Sequence, residues 1–571
     1  MKPANAVVLS ALLAAATGAF ASTPAAQGPE GRLGRLDFPV SGSAACQRLF
    51  GKGMLELHSF QYDQAHVSFG EALAADPGCA MAAWGDAMAY EHPIWSQRDR
   101  AKALAALARI APERERALTP KERAYIAAAR ALFEPTDAKV GLRAWREAAA
   151  EMRTRFPDDD EVGLQHALAL IGEYGYDKAR LREQSEAGAL ALDVLARRPE
   201  HPGAAHYVIH AFDNPEHAIL ALPAARAYAR IAPAASHALH MPSHTFTHLG
   251  MWREVVPSNE RAYAASQADA RALGQPAADW DWHSYAWLVA AHLELGQPAP
   301  ARKLVDDLRE LLRADDSPRL RLGYADVARN YLAQTGRWAE AESFAAPLLA
   351  PVRGEGTDGR GPVACAEHAP GGGADERPPY VHQARLAAHG MRAEAALHTS
   401  NADAAEAAAR DLAAVNELMT PWKRPGRQAI VAAYVAEIQA RAALVRQRSP
   451  ETEKRALDAL AESVKVTDPY PIAGPAFDAT PRERLAEALL ALGRPAEALA
   501  EYERVADARP NRALSLLGAA RAARAAGDAA KEAAHYRALA KLWSAADPDL
   551  PLLAEVRAGA GERRAAAAQA Y

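Results

Sequence analysis

Residues 201–248 of this 571-residue chain hold eight of its 19 histidines, at spacings suited to metal chemistry. His206 and His210 are four apart, with Asp213 three further on. His240, His244 and His248 repeat the four-residue step, and His237 stands three residues ahead. On a helix that step returns to the same face. Two neutral imidazoles at i and i+4 can offer nitrogens to one transition metal, and a second helix with a carboxylate can complete the ligand set. His206, His210, Asp213, His237, His240 and His244 are therefore candidate ligands for one or two ions. An imidazole and carboxylate set fits zinc, iron or copper and does not choose among them. The competing reading is a buried polar network in which each ring has a hydrogen-bond partner and no ion is needed.

Other residues extend the pattern. Pro242 interrupts the helix expected over 236–249, where it removes a backbone donor and predicts a kink on the histidine face. Asp281 and His283, in the run DWDWHSY, are expected to face the same groove, with Trp252 and Trp282 as candidate apolar walls. His58 and His92 stand beside large apolar residues and read as structural. The chain has no GxSxG elbow, no Walker loop, no dinucleotide fingerprint following a strand, no CxxC and no HExxH. No catalytic residue is assigned.

The elements that position these residues are helical. Alanine dominates and strand-favouring residues are sparse, which predicts an all-α chain. The formal net charge of −5, with both signs interspersed, argues against a nucleic-acid binder or a polybasic membrane-surface protein. Residues 1–21 read as a secretory signal cut after Ala21, which places the mature protein in the periplasm or outside the cell. No other stretch reads as apolar for long enough to span a bilayer. Residues 22–44 are expected to be a flexible leader. In an oxidising compartment Cys46 and Cys79 can pair, or they can remain two buried thiols.

From Cys46 onward, Gly53, Ala65, Phe69, Ala72 and Pro77 fall at the offsets of a tetratricopeptide repeat. Gly493, Ala498, Tyr502 and Pro510 form a later unit, and Gly527 and Tyr536 repeat its glycine and tyrosine 34 residues on. Gly296, Gly336 and Gly493 each open a hairpin turn followed by a small crossing residue. Such units stack into a right-handed superhelix with a concave inner wall. The expected organisation is a helical-repeat array over 45–350 that contains the histidine block, a Gly/Pro-rich loop over 351–379, hairpins over 380–466, a linker over 467–481 and tetratricopeptide hairpins over 482–571. The loop carries Cys365 and His368, three apart, and reads either as a lid over the groove or as an insertion.

Several stretches together resemble a known family: LELHSFQYDQA, DPGCAMAAWGDAMA, TPKERAYIAA, FPDDDEVGLQHALAL, HPGAAHYVIHAFDNPEHA, HALHMPSHTFTHLGMW and SNERA. The chain resembles bacterial secreted tetratricopeptide-repeat proteins with a histidine-containing central block, over most of its mature length. The resemblance implies the repeat fold, and it makes His206, His210, Asp213, His237, His240 and His244 usual features, with His248 the weakest candidate ligand. Two functions are open. The first is a binding or scaffolding module whose concave wall holds a peptide or protein. The second is a metal-dependent enzyme or metal carrier built on the histidine block. Neither involves nucleic acid or a membrane span after signal cleavage, and the oligomeric state is open.

Overall fold

The structure, a computed structural model, describes residues 32–95, 97–174, 180–352, 380–420, 425–468 and 479–561. The signal segment 1–21, Cys365, His368 and most of the Gly/Pro-rich loop and the 467–481 linker lie outside the described residues. The protein is an all-α, tetratricopeptide-like solenoid in which helices pack on their chain neighbours as antiparallel hairpins. The sheet among the described residues is a two-residue ladder, Glu91–His92 against Gln97–Arg98.

Side-chain volumes explain the repeat spacing. The Phe69 ring fills the crossing of three helices, and a β-carbon added at Gly53 or Gly85 would come within 2.6 or 2.5 Å of it. Tyr502 has the same relation to Gly518, and Tyr536 to Gly559, each at 2.2 Å. Close-packed interiors do not absorb such overlaps, so a large ring facing a missing side chain sets each crossing. Gly296, Gly336 and Gly493 turn the hairpins with left-handed φ of 70°, 66° and 77°.

Residues 32–43 differ from the flexible leader expected of them. Phe38 is buried, with its ring 5.2 Å from Phe50 and 5.0 Å from Tyr125. The Arg35 amide donates to the Glu200 carbonyl at 2.9 Å. Phe38 anchors the stretch, with Leu33, Leu36 and Val40 packed against the same core. Cys46 and Cys79 form a disulfide across the first repeat, with Cα atoms 5.8 Å apart.

A second difference concerns helix Gly426–Arg446, which by length and composition is apolar enough to cross a bilayer. It is instead a hairpin element between Ala402–Leu418 and Pro450–Thr467. It carries Glu437 and Arg441 in an ion-pair network with Glu394 and Arg484. Its hydropathy comes from Ile430, Val431, Val435, Ile438, Leu444 and Val445, together with alanines.

The array turns back on itself. Asn511 donates its side-chain amide to the Gly250 carbonyl at 3.1 Å, and its own carbonyl accepts from the Trp252 indole at 2.9 Å. The Trp543 indole donates to the Glu294 carbonyl at 3.0 Å. Between these contacts, buried Arg512 bridges Glu294 at 2.8 Å and Glu483 at 2.7 Å. The C-terminal hairpins are thereby locked to helix Trp282–Glu294, which carries His283 at its first turn. Removing one partner from a buried ion network leaves the others uncompensated. Arg512→Met is expected to destabilise the protein by about 3–5 kcal/mol in urea unfolding. A change of less than about 1 kcal/mol, the level of an exposed pair, would contradict a locking role.

Candidate metal centre

The candidate histidine ligands of the block lie on three short helices, Pro202–Ala211, Ser236–His240 and Pro242–His248. His201 caps Pro202–Ala211 by accepting from the Ala204 amide, and His206 and His210 stack on one face of that helix. Pro242 splits the expected helix into Ser236–His240 and Pro242–His248, as its missing amide requires. The break lies between His240 and His244, and buried Ser258 donates to the Leu239 carbonyl there.

Two triads of imidazoles result. His206, His210 and His237 form one, and His240, His244 and His283 form the other. Within each, one ligand nitrogen per ring lies within 4.8 Å of the others. In the first triad His206 Nε2 and His237 Nε2 face each other at 3.0 Å, and in the second His240 Nε2 and His244 Nε2 do the same at 3.0 Å. With metal–nitrogen bonds of about 2.0 Å, that separation corresponds to a nitrogen–metal–nitrogen angle of about 100°, close to tetrahedral. The two HxxxH steps do not share a site; each recruits its own third ring.

Hydrogen bonds on the opposite ring atoms decide where the protons sit. His206 Nδ1 lies 2.6 Å from the His58 carbonyl, which only accepts, so Nδ1 carries the hydrogen and Nε2 of the neutral ring is a bare lone pair. His244 Nδ1 donates to Asp213 Oδ2 at 2.7 Å. His240 Nδ1 meets Asn259 Oδ1 at 2.7 Å. The Asn259 amide nitrogen is committed to the Val255 carbonyl and the Ser243 hydroxyl, both at 2.9 Å, which leaves its oxygen as the acceptor for His240. In the neutral rings both Nε2 atoms of the His240–His244 pair are therefore lone pairs pointed at each other. The space between them has to hold a cation, either a proton or a metal ion.

Burial sets the charge of the ligands. It pushes His210 down to about 3, and it holds His206, His237 and His240 well below the usual imidazole range, with neighbouring rings adding to the shift. These rings are neutral near pH 7, the form a metal binds. His283 keeps access to solvent, and His237 is partly exposed. Trp95, 42% exposed, lies 5.6 Å from the His237 ring.

Asp213, expected among the ligands, instead gives one oxygen to His244 and the other to His248 at 3.0 Å. Burial alone would raise its pKa, but the two histidines outweigh that and hold the carboxyl well below the usual range. Its position is that of an orienting group behind a metal-ligating imidazole. His248 shares this supporting role. Asp281 caps its helix by accepting from the Ser284 amide at 2.9 Å and does not reach the triads. Trp252 packs on the C-terminal hairpins, and the Trp282 indole donates to the Ala277 carbonyl at 3.1 Å. Neither is a wall of the site. The walls are Trp287, 5.0 Å from His240 and 4.5 Å from His244, and Phe60, 4.3 Å from His206 and 5.5 Å from His237.

A third cluster, His58, Glu161 and His201, also has metal-like spacing, but its hydrogen bonds are complete. Glu161 accepts from His58 Nε2 and His201 Nε2, each at 2.9 Å, while His58 Nδ1 lies 2.9 Å from the Tyr207 hydroxyl. This is a structural clamp, in keeping with the structural reading of His58, and it fixes the carbonyl that orients His206. A β-carbon on Gly203 would come within 2.3 Å of the His58 ring, so the clamp requires glycine there.

No protein-family model matches the chain, and no curated protein does. Among solved structures it is similar to the human IFIT1 dimer with PPP-AAAA, at 12% identity over 88% of this chain and 91% of that one, with a TM-score of 0.33. It is also similar to yeast Tom70, at 10% identity over 84% and 96%, with a TM-score of 0.32.

Two outcomes follow from this geometry. Asp213→Asn is expected to weaken metal binding at the second triad about 10–100-fold, read by competition with a chromogenic chelator; unchanged affinity would remove Asp213 from the support of the site. Because the buried rings are depressed below the unfolded value of about 6.5, the unfolded chain takes up more protons at acid pH. Stability of the metal-free protein is then lost as pH falls below about 6.5 toward the folded values. Bound metal is expected to hold the melting temperature up across that window, and identical pH curves with and without metal would contradict the assignment.

Proposed function

We propose that the protein is an extracytoplasmic metalloprotein whose helical array holds transition-metal ions at the two histidine triads. The observation that carries this reading is the His240–His244 pair, whose facing nitrogens are both left as lone pairs by Asn259 and Asp213. A proton on His244 would relieve that one contact. It gives no reason for His283 to converge on the same point, or for a second triad to stand beside it. The Cys46–Cys79 disulfide supports an oxidising compartment, in agreement with cleavage after Ala21.

With a metal bound, each triad supplies three neutral nitrogens and leaves a coordination position for water or a substrate atom, the arrangement of catalytic rather than structural sites. Zinc, iron and copper all fit three imidazoles, and the ion would act there as a Lewis acid or a redox centre. The chain's own residues orient the rings, keep them neutral and wall the site with Phe60 and Trp287. A purely peptide-binding array would not require six clustered imidazoles, three of them with the tautomer set by an outer partner.

Elemental analysis of untagged protein from the periplasm, with its mass checked for a start at Ser22, tests this reading. The expected result is metal in proportion to protein, reduced by about half in His237→Ala and in His283→Ala, with the helical spectrum retained. These two rings are the more exposed members of their triads, so their removal leaves the core intact. Protein that stays metal-free after loading with zinc, iron and copper would return the array to a binding or scaffolding role.

A further inference from the structure

We infer that the two triads act as one dinuclear copper centre, with a single small anion bridging the two ions. This rests on the metal reading above and deepens it. Within the first triad the ring centroids lie 4.7, 4.9 and 6.0 Å apart, and within the second 4.8, 5.0 and 6.1 Å. Across the boundary, His210 lies 6.2 Å from His244 and His237 lies 6.3 Å from His240. The boundary is thus scarcely wider than the triads themselves. Ions seated in both are neighbours, and the position each leaves open can be filled by one shared ligand.

Charge selects the metal. All six residues that would hold the ions are histidines, and none is a carboxylate. The nearby carboxylates are Asp213, engaged with His244 and His248, and Asp281, engaged with its helix cap. Two divalent ions bring four positive charges into a site walled by Phe60, Trp287 and Tyr228, whose ring stacks 5.2 Å from His206. Excess charge in such surroundings is costly. A bridging hydroxide lowers it, and so does a metal that is stable in a monovalent state with three nitrogen ligands. Copper meets both conditions. Iron and manganese favour carboxylates, zinc has no monovalent state in proteins, and copper heads the affinity order for nitrogen sites.

The test loads the full chain with copper(II), keeps it oxidised with ferricyanide, and compares EPR-visible copper with total copper(II) released in acid. Azide serves as the bridging probe. Expected are two coppers per chain, most of them EPR-silent through coupling across the bridge, and one azide bound per pair. His283→Ala should retain one copper that is fully visible. Two coppers that are both fully visible would overturn the bridged pair while leaving the metal reading intact, as would zinc displacing copper at equal concentration. A chain that binds no metal at all would overturn both.

Discussion

Two imidazole nitrogens of one pair in this protein are made to face each other with their lone pairs. His240 and His244 have given their ring hydrogens to Asn259 and Asp213, so at 3.0 Å the facing Nε2 atoms repel unless a cation lies between them. In water that repulsion would be relieved by rotation or protonation. Inside the array the rings are held by their outer partners, and burial resists a positive charge on His240. The mismatch is located at one atom pair, and a proton or a metal ion between the two nitrogens removes it.

Much of the surrounding structure holds that pair and its neighbours in place. The break at Pro242 separates the turns that carry His240 and His244, and Ser258, one position before Asn259 on its helix, donates to the Leu239 carbonyl there. Helix Trp282–Glu294 brings His283 to the pair with one end and is pinned by Arg512 at the other. The Glu161 clamp sets the His58 carbonyl, and that carbonyl sets His206. A helical repeat array suits this task because its inner wall draws side chains from hairpins far apart in sequence. Here segments near residues 58, 161, 206, 240, 259 and 283 meet.

The sequence made the repeats legible because their signal is local. A glycine opposite a ring, a turn glycine and a fixed period are all readable within one unit, and Gly53, Phe69, Gly493 and Tyr502 behave as their spacing implied. The four-residue histidine steps were equally local, and His206, His210, His237, His240, His244 and His283 all reach the triads. What could not be read was which groups stand behind the rings. Asp213 has the chemistry of a ligand and differs from one only in where His248 lies. Asn259 is one polar residue in SNERA, and its role depends on the Val255 carbonyl fixing its amide. Phe60 takes a left-handed φ of 54° at the end of the first helix, and no pattern in the sequence announces that its ring will lie against His206. Trp252 and Trp282 shared the composition of a groove wall, and long-range packing took them elsewhere.

The most direct measurement is an anomalous difference map from crystals of the metal-loaded protein, collected at the absorption edge of the bound metal. The expected result is density enclosed by His206, His210 and His237 and by His240, His244 and His283, each peak about 2 Å from three ring nitrogens, with Asp213 still bonded to His244. Density at the His58–Glu161–His201 clamp, or confined to surface side chains, would contradict the assignment of the triads as the metal centre.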